Sequence, residues 1–183
     1  LQTAHKRGFV FSPGAAQRPI DYVQKMFQHI KGPKAKQPLL LEPFQKFWTA
    51  VIFGWLEADT GFRRFRTAFE EMARKNGKST FAAGIAIILA SCDFNPITAT
   101  AEQVAEVILC ATKKEQAEKV IYAEIERMRA NSAWLSKKST RINKQISFPE
   151  NQGSIRCVGS DKPYDGLNPH TILMDELHAW KEY

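Results

Sequence analysis

Met72-Ala73-Arg74-Lys75-Asn76-Gly77-Lys78-Ser79 is the stretch on which the reading of this 183-residue chain turns. It nearly fits the phosphate-binding pattern G-x-x-x-x-G-K-[ST]: Gly77, Lys78 and Ser79 are in place, and Met72 stands where the first glycine belongs. In such a loop, backbone N–H groups surround phosphate oxygens, and the N-terminus of the following helix favours negative charge. Lys78 would reach the β- and γ-phosphates, and the Ser79 hydroxyl would coordinate magnesium. A Gly-Lys-Ser tripeptide also occurs in solvated turns, so its context decides. Residues 80 to 90 are small and apolar, with Phe81, Ala82, Ala83, Ile85, Ala86, Ile87, Ile88 and Leu89, and they predict a packed helix. The loop therefore opens a helix, as phosphate binding requires.

A second stretch supplies what the first lacks. Thr171-Ile172-Leu173-Met174 predicts a buried strand that delivers Asp175 to the carboxyl edge of a sheet, where ligands of open α/β sheets bind. Asp175 would hold magnesium, a small hard cation that takes oxygen ligands and keeps several waters. Glu176, with its side chain pointing elsewhere, would orient or deprotonate an attacking water. An Asp-Glu pair also favours the start of a helix. Its pairing with the upstream loop argues instead for a site that binds and cleaves a nucleoside triphosphate.

Several stretches together resemble the N-terminal ATPase part of the large terminase subunits of tailed bacteriophages. They are Leu41-Glu42-Pro43-Phe44-Gln45 leading to Phe53-Gly54-Trp55, then Arg63-Arg64-Phe65-Arg66 and Arg74-Lys75-Asn76-Gly77-Lys78-Ser79. Ala111-Thr112-Lys113-Lys114-Glu115-Gln116-Ala117, Asp165-Gly166-Leu167-Asn168-Pro169-His170 and Asp175-Glu176-Leu177-His178-Ala179 follow in order. The resemblance implies an α/β fold: a three-layer P-loop NTPase domain of the RecA-like (ASCE) type with a mostly parallel central sheet. It implies ATP and Mg2+ as cofactors, with a Walker A loop that departs from the usual pattern and a Walker B strand. Catalytic roles fall by resemblance to Glu176, Arg74 and Lys78, and metal binding to Ser79 and Asp175. Nucleotide binding falls to Gln45, Arg74, Lys75, Asn76, Gly77, Lys78, Ser79 and Thr80. Arg74 would stabilise charge at the γ-phosphate, a task for which arginine fingers contribute about 10³ to 10⁵ in rate. Gln45 would read the adenine edge, since a side-chain amide both donates and accepts.

The family also implies partners: double-stranded DNA, a portal protein and a small terminase subunit, a homo-oligomeric ring in the intact motor, and the host cell cytoplasm as its location. Residues 1–40 read as a flanking helix and linker, and 41–183 as an ATPase core expected to stop shortly after the Asp-Glu motif. The family's nuclease domain is absent from this sequence, since Asp161 and Asp165 are too few and too local to replace it. A truncated core is expected to bind nucleotide even where it turns it over slowly. Two alternatives stay open: a helicase-like DNA-dependent ATPase, and a non-catalytic basic domain that binds nucleic acid.

Composition agrees with one α/β domain, with 44% hydrophobic and 25% charged residues. The net charge of +7 favours a polyanionic partner. Basic residues cluster at 31–36, 63–66 and 137–144. Cys92, Cys110 and Cys157 are odd in number, lack Cys-x-x-Cys spacing and predict buried thiols in a reducing compartment. The histidines His5, His29, His170 and His178 lack zinc-ligand spacing. No apolar run reaches the length that spans a bilayer.

Periodicity predicts a helix from about 20 to 30 after a Pro13-Gly14 turn, then a linker over 32–38. A helix over 39–55 would bury Phe44, Phe47, Trp48, Val51, Ile52 and Trp55. Strand-loop-helix grammar requires a strand over 66–72, although Ala68, Glu70 and Glu71 favour helix. A strand over 104–110, a helix over 115–129 and strands over 139–148, 153–158 and 171–174 complete a sheet expected to be covered on both faces.

Overall fold

The computed structural model of the chain describes residues 4, 6–30, 32–73, 75–159 and 168–180. Contacts divide it into two compact units, Leu1–Asn76 with Phe94–Thr100, and Gly77–Asp93 with Ala101–Tyr183.

In the first unit, strand β1 (Phe9–Phe11) leads into helix α1 (Pro13–Met26). The helix starts at Pro13, earlier than the pattern predicts, because Ser12-Pro13 is itself a start signal. The Ser12 hydroxyl accepts from the Ala15 N–H at 3.2 Å, and Pro13 has no N–H to leave unpaired. Helix α2 (Pro43–Gly54) packs against α1, and strand β2 (Trp55–Glu57) follows to pair antiparallel with β1.

The buried side of α2 is not the expected one. Gln45, Thr49, Phe53 and Gly54 are inside, while Phe47 is 65% exposed. Local hydrogen bonds make this burial tolerable. The Glu42 N–H donates to Gln45 Oε1 at 2.9 Å, and the Thr49 hydroxyl donates to the Gln45 carbonyl at 2.7 Å, so neither polar side chain goes in unpaired. Gly54 also permits close approach, since a Cβ there would lie 2.8 Å from Ala16 Cβ on α1.

The strand expected over 66–72 does not form. Residues 66–73 carry no regular element, and Phe69 is 76% exposed. Phe69 and Met72 stand three apart rather than alternating, and two glutamates separate them, so no strand face can be buried. Strands β3 (Phe94–Asn95) and β4 (Thr100–Ala101) form a small ribbon.

The second unit contains a five-stranded sheet in the order β6 (Thr140–Ile142), β7 (Gln145–Phe148), β8 (Gly153–Gly159), β5 (Glu106–Ala111) and β9 (Thr171–Met174). Helix α3 (Lys78–Ser91) buries Phe81, Ala83, Ala86 and Ile87, as its small apolar sequence predicts. After β5 (Glu106–Ala111), helix α4 runs through Lys114–Ala117, a π-helical turn at Glu118–Tyr122, and Ala123–Asn131. Helix α5 (Ala133–Lys138) is capped by Ser132. Strands β6 (Thr140–Ile142), β7 (Gln145–Phe148), β8 (Gly153–Gly159) and β9 (Thr171–Met174) complete the sheet.

The sheet is mixed. Strands β8, β5 and β9 are parallel, while β6 and β7 join antiparallel at the β8 side. The single strand expected over 139–148 is a hairpin, because Asn143 and Lys144 both take positive φ (49° and 59°), as a tight two-residue turn demands. Val107, Leu109 and Ile155 are fully buried, and α3 and α4 pack on the sheet. Ile108, Cys110 and Val158 form a separate cluster with Trp180 against it. Strand β9 is not a buried strand: Ile172 is 48% and Met174 52% exposed, as suits the sheet's last strand. Cys110 and Cys157 are buried and Cys92 partly so, all as free thiols. Among the described residues no helix is long and apolar enough to cross a membrane.

Candidate active site

Parallel strands place their carboxyl ends along one sheet edge, and Asp175 stands there. Its N–H donates to the Cys110 carbonyl at 3.0 Å, extending the β5–β9 ladder one residue beyond β9. The Asp175 carbonyl accepts from the Trp180 indole at 3.2 Å, and its side chain is buried at 6% exposure. Sequence reasoning assigned Trp180 no role; the only signal was an aromatic a short turn beyond the acidic pair.

The chain turns sharply at Glu176, which has φ 52° and ψ 49° and begins a short 3-10 turn, Leu177–Ala179. A left-handed backbone is costly for a glutamate, about 1–2 kcal/mol, and such strain concentrates at functional sites. The turn also abolishes the alternation of a strand. The two neighbouring carboxylates therefore converge instead of pointing apart, which corrects the expected direction of Glu176.

They converge on Lys78. Its Nζ lies 3.0 Å from Asp175 Oδ1 and 3.0 Å from Glu176 Oε1. Burial pulls the ammonium's pKa down, but hydrogen bonds and charge from both carboxylates outweigh it and leave the pKa raised. Asp175 Oδ1 accepts in addition from the Glu176 N–H at 3.0 Å. Asp175 Oδ2 is buried and has no hydrogen-bond partner among the described residues.

Lys78 is the first residue of α3. Gly77, with φ 78°, provides the left-handed turn into the helix, and Lys75 takes φ 70°. The first helical bond runs from the Phe81 N–H to the Gly77 carbonyl at 2.9 Å, and no side chain caps the helix. The N–H groups of Lys78, Ser79 and Thr80 thus lie in a first turn without a capping side chain, the arrangement that binds phosphate. Lys75, Asn76 and Gly77 are exposed. Arg74, Asp161, Asp165 and the side chain of His178 lie outside the described residues.

The residues suit a magnesium ion. Asp175 offers a buried, unpartnered carboxylate oxygen, and Ser79 a hydroxyl in the same unit. Among the described residues no group of three or more His, Cys, Asp or Glu could enclose a metal. Gln45 belongs to the other unit, and its Oε1 is held by the Glu42 N–H.

Comparison with known proteins bears on the fold and the family. No curated protein matches the chain. The crystal structure of the HK97 bacteriophage large terminase is similar, with a TM-score of 0.67 and 21% identity over 87% of this chain. The chain covers 30% of that protein, and at this identity the likeness shows the fold. The family described as terminase large subunit, ATPase domain, matches residues 43–183, which include both the phosphate-loop residues and the acidic pair. The chain therefore belongs to the terminase large subunit ATPase domain family.

Proposed function

We propose that this chain binds ATP with magnesium at the Lys78–Asp175–Glu176 edge, hydrolyses its β–γ bond and, within a packaging terminase, drives double-stranded DNA into a capsid. The observation that carries this reading is the convergence of Asp175 and Glu176 on Lys78 at 3.0 Å each, because it joins the phosphate loop to the acidic pair.

Lys78 offsets one of the two acid charges. Triphosphate gives its ammonium a competing anion, and the N–H groups at the start of α3 hold the same phosphates in place. Once Lys78 turns to them, Glu176 is released to accept a proton from water. The water oxygen then bonds to the γ-phosphorus while the bond to the β–γ bridging oxygen breaks, giving ADP and phosphate. Ser79 and Asp175 would hold magnesium, which when bound offsets charge on the β- and γ-phosphates. Arg74 would add positive charge at the γ-phosphate, and Gln45 would contact adenine by releasing its hold on the Glu42 N–H. The intact motor would act as a ring with portal protein and small subunit in the host cytoplasm.

A magnesium-dependent titration with a slowly hydrolysed ATP analogue, beside Lys78→Ala, tests the site. Saturable binding that Lys78→Ala weakens by two orders of magnitude or more, about 3 kcal/mol for a lost charged partner, is the expected result. Equal binding by both proteins refutes it.

A further inference from the structure

We infer that Lys113 and Lys114, where β5 leaves the sheet for α4, are the residues of this unit that grip the phosphodiester backbone of DNA. The inference rests on the packaging reading and adds to it the surface that touches the polymer.

Several cations of the two units are already engaged. The basic cluster at 137–144 looks in sequence like a nucleic-acid track, but folding consumes most of it. Lys138 pairs with Glu150 at 2.6 Å, Lys144 pairs with Glu118 at 2.6 Å, and Arg141 pairs with Glu126. Arg127 pairs with Glu124, and Arg156 with Glu106. Arg129 donates to the Ser139 hydroxyl and carbonyl. In the other unit, Arg64 lies over the rings of Phe9, Trp55 and Phe65, and Arg63 over Phe53.

Lys113 and Lys114, like the exposed Lys119 and Lys137, stand outside these pairs, and of the four only they are adjacent in sequence. Both are exposed, and neither has a carboxylate partner among the described residues. The acids next in sequence do not change that: Glu118 is taken by Lys144, and Glu115 is exposed to water. Their place matters as much as their charge. Ala111 ends β5 opposite Gly159, and the Asp175 N–H bonds to Cys110 on the same strand. Adjacent strands lie about 4.8 Å apart, so the Lys113–Lys114 exit leaves the sheet on the edge that holds Asp175 and Glu176. Two adjacent cations there, without a carboxylate partner among the described residues, suit a repeating anion. ATP phosphates already have Lys78 and the amides of α3, whereas a DNA backbone supplies the further phosphates these lysines lack.

The test measures binding of this chain to a short DNA duplex across a salt series, with the ATP analogue titrated in parallel. Lys113→Ala/Lys114→Ala is compared with wild type and with Lys34→Ala/Lys36→Ala, a pair from the exposed turn at 32–37. Two lost phosphate contacts should reduce the slope of log K against log salt by about 1.8 and weaken DNA binding about tenfold or more. ATP-analogue affinity and thermal midpoint should stay unchanged, and the Lys34/Lys36 variant should keep the wild-type slope. An unchanged slope in the Lys113/Lys114 variant, or a loss confined to the Lys34/Lys36 variant, overturns the inference. So does an equal loss of ATP binding, which would place these lysines on nucleotide, and so does wild-type protein that binds no DNA. ATP binding in that last case would leave the hydrolysis reading standing. DNA binding through Lys113 and Lys114 without any ATP binding would have the opposite meaning.

Discussion

Two groups of ion pairs in the second unit use the same chemistry to different ends. On the hairpin, Lys144 meets Glu118 and Arg141 meets Glu126 one to one, so each charge is balanced where it sits. At the sheet edge, one ammonium serves two carboxylates, and a buried oxygen of Asp175 is left over. The hairpin pairs are complete, and a third charge would gain nothing there. The Lys78–Asp175–Glu176 cluster is short of one positive charge, and under the proposed function it would be short of two when Lys78 turns to phosphate. That surplus of acid, which folding does not resolve, is what the proposed cation and its anionic ligand would offset.

The strongest way to break this contrast is Glu176→Gln. The amide keeps a hydrogen bond to Lys78 but cannot take a proton, so ATP turnover should fall about 10²- to 10⁴-fold while analogue affinity changes little. Phosphate release and analogue titration read the two effects separately, and parallel loss of both would reject the assigned role.

Alkaline unfolding comes next in size. Burial first, and then the Glu118 charge, push the Cys157 thiol up from 9.0 to about 12, while Lys114 and Lys144 pull it down. A folded pKa raised in this way gives stability that is complete below pH 9 and is lost as pH rises towards 12, on the order of a few kcal/mol. Lys78 moves in the same direction, so its contribution is lost only above its ordinary 10.5. Denaturant melts from pH 8 to 11 should show the decline beginning near 9, and Cys157→Ala should reduce that first part, leaving the share of Cys110, whose thiol burial also pushes up. A decline of equal size and onset in the variant would show that the thiol is not responsible.

The smallest effect belongs to the hairpin. Arg141→Ala should lower the thermal midpoint only slightly, as the loss of an exposed pair does, and leave nucleotide affinity unchanged. A larger loss, or any loss of ATP binding, would mean that the hairpin is not the self-contained surface described here.

What could be read in the sequence was mainly local. The run 80–90 announced α3, the apolar segments gave β5 and β8, and Thr171–Met174 placed Asp175 at a strand end. Each signal lies within a few residues. What could not be read depends on partners elsewhere in the chain. The inward turn of Gln45 and Thr49 follows from the close approach of α1, which Gly54 permits. The exposure of Met174 follows from the position of β9 in the sheet. Residues 66–73 obey their own composition, two glutamates and a helix-favouring alanine, where grammar called for a strand. The approach of Glu176 to Lys78 depends on a left-handed backbone for which an Asp-Glu-Leu sequence carries no signal.

Trp180 turns the same edge into an optical instrument. Its indole N–H is bonded to the Asp175 carbonyl, and its ring rests on Ile108, Cys110 and Val158. Indole emission responds to the polarity around the ring and to its hydrogen bond, so the protein carries its own fluorophore one contact away from the acidic pair. Any motion of Asp175 when ligand arrives should alter the emission wavelength, and the difference between the spectra of the parent chain and Trp180→Phe would isolate that signal from Trp48, Trp55 and Trp134.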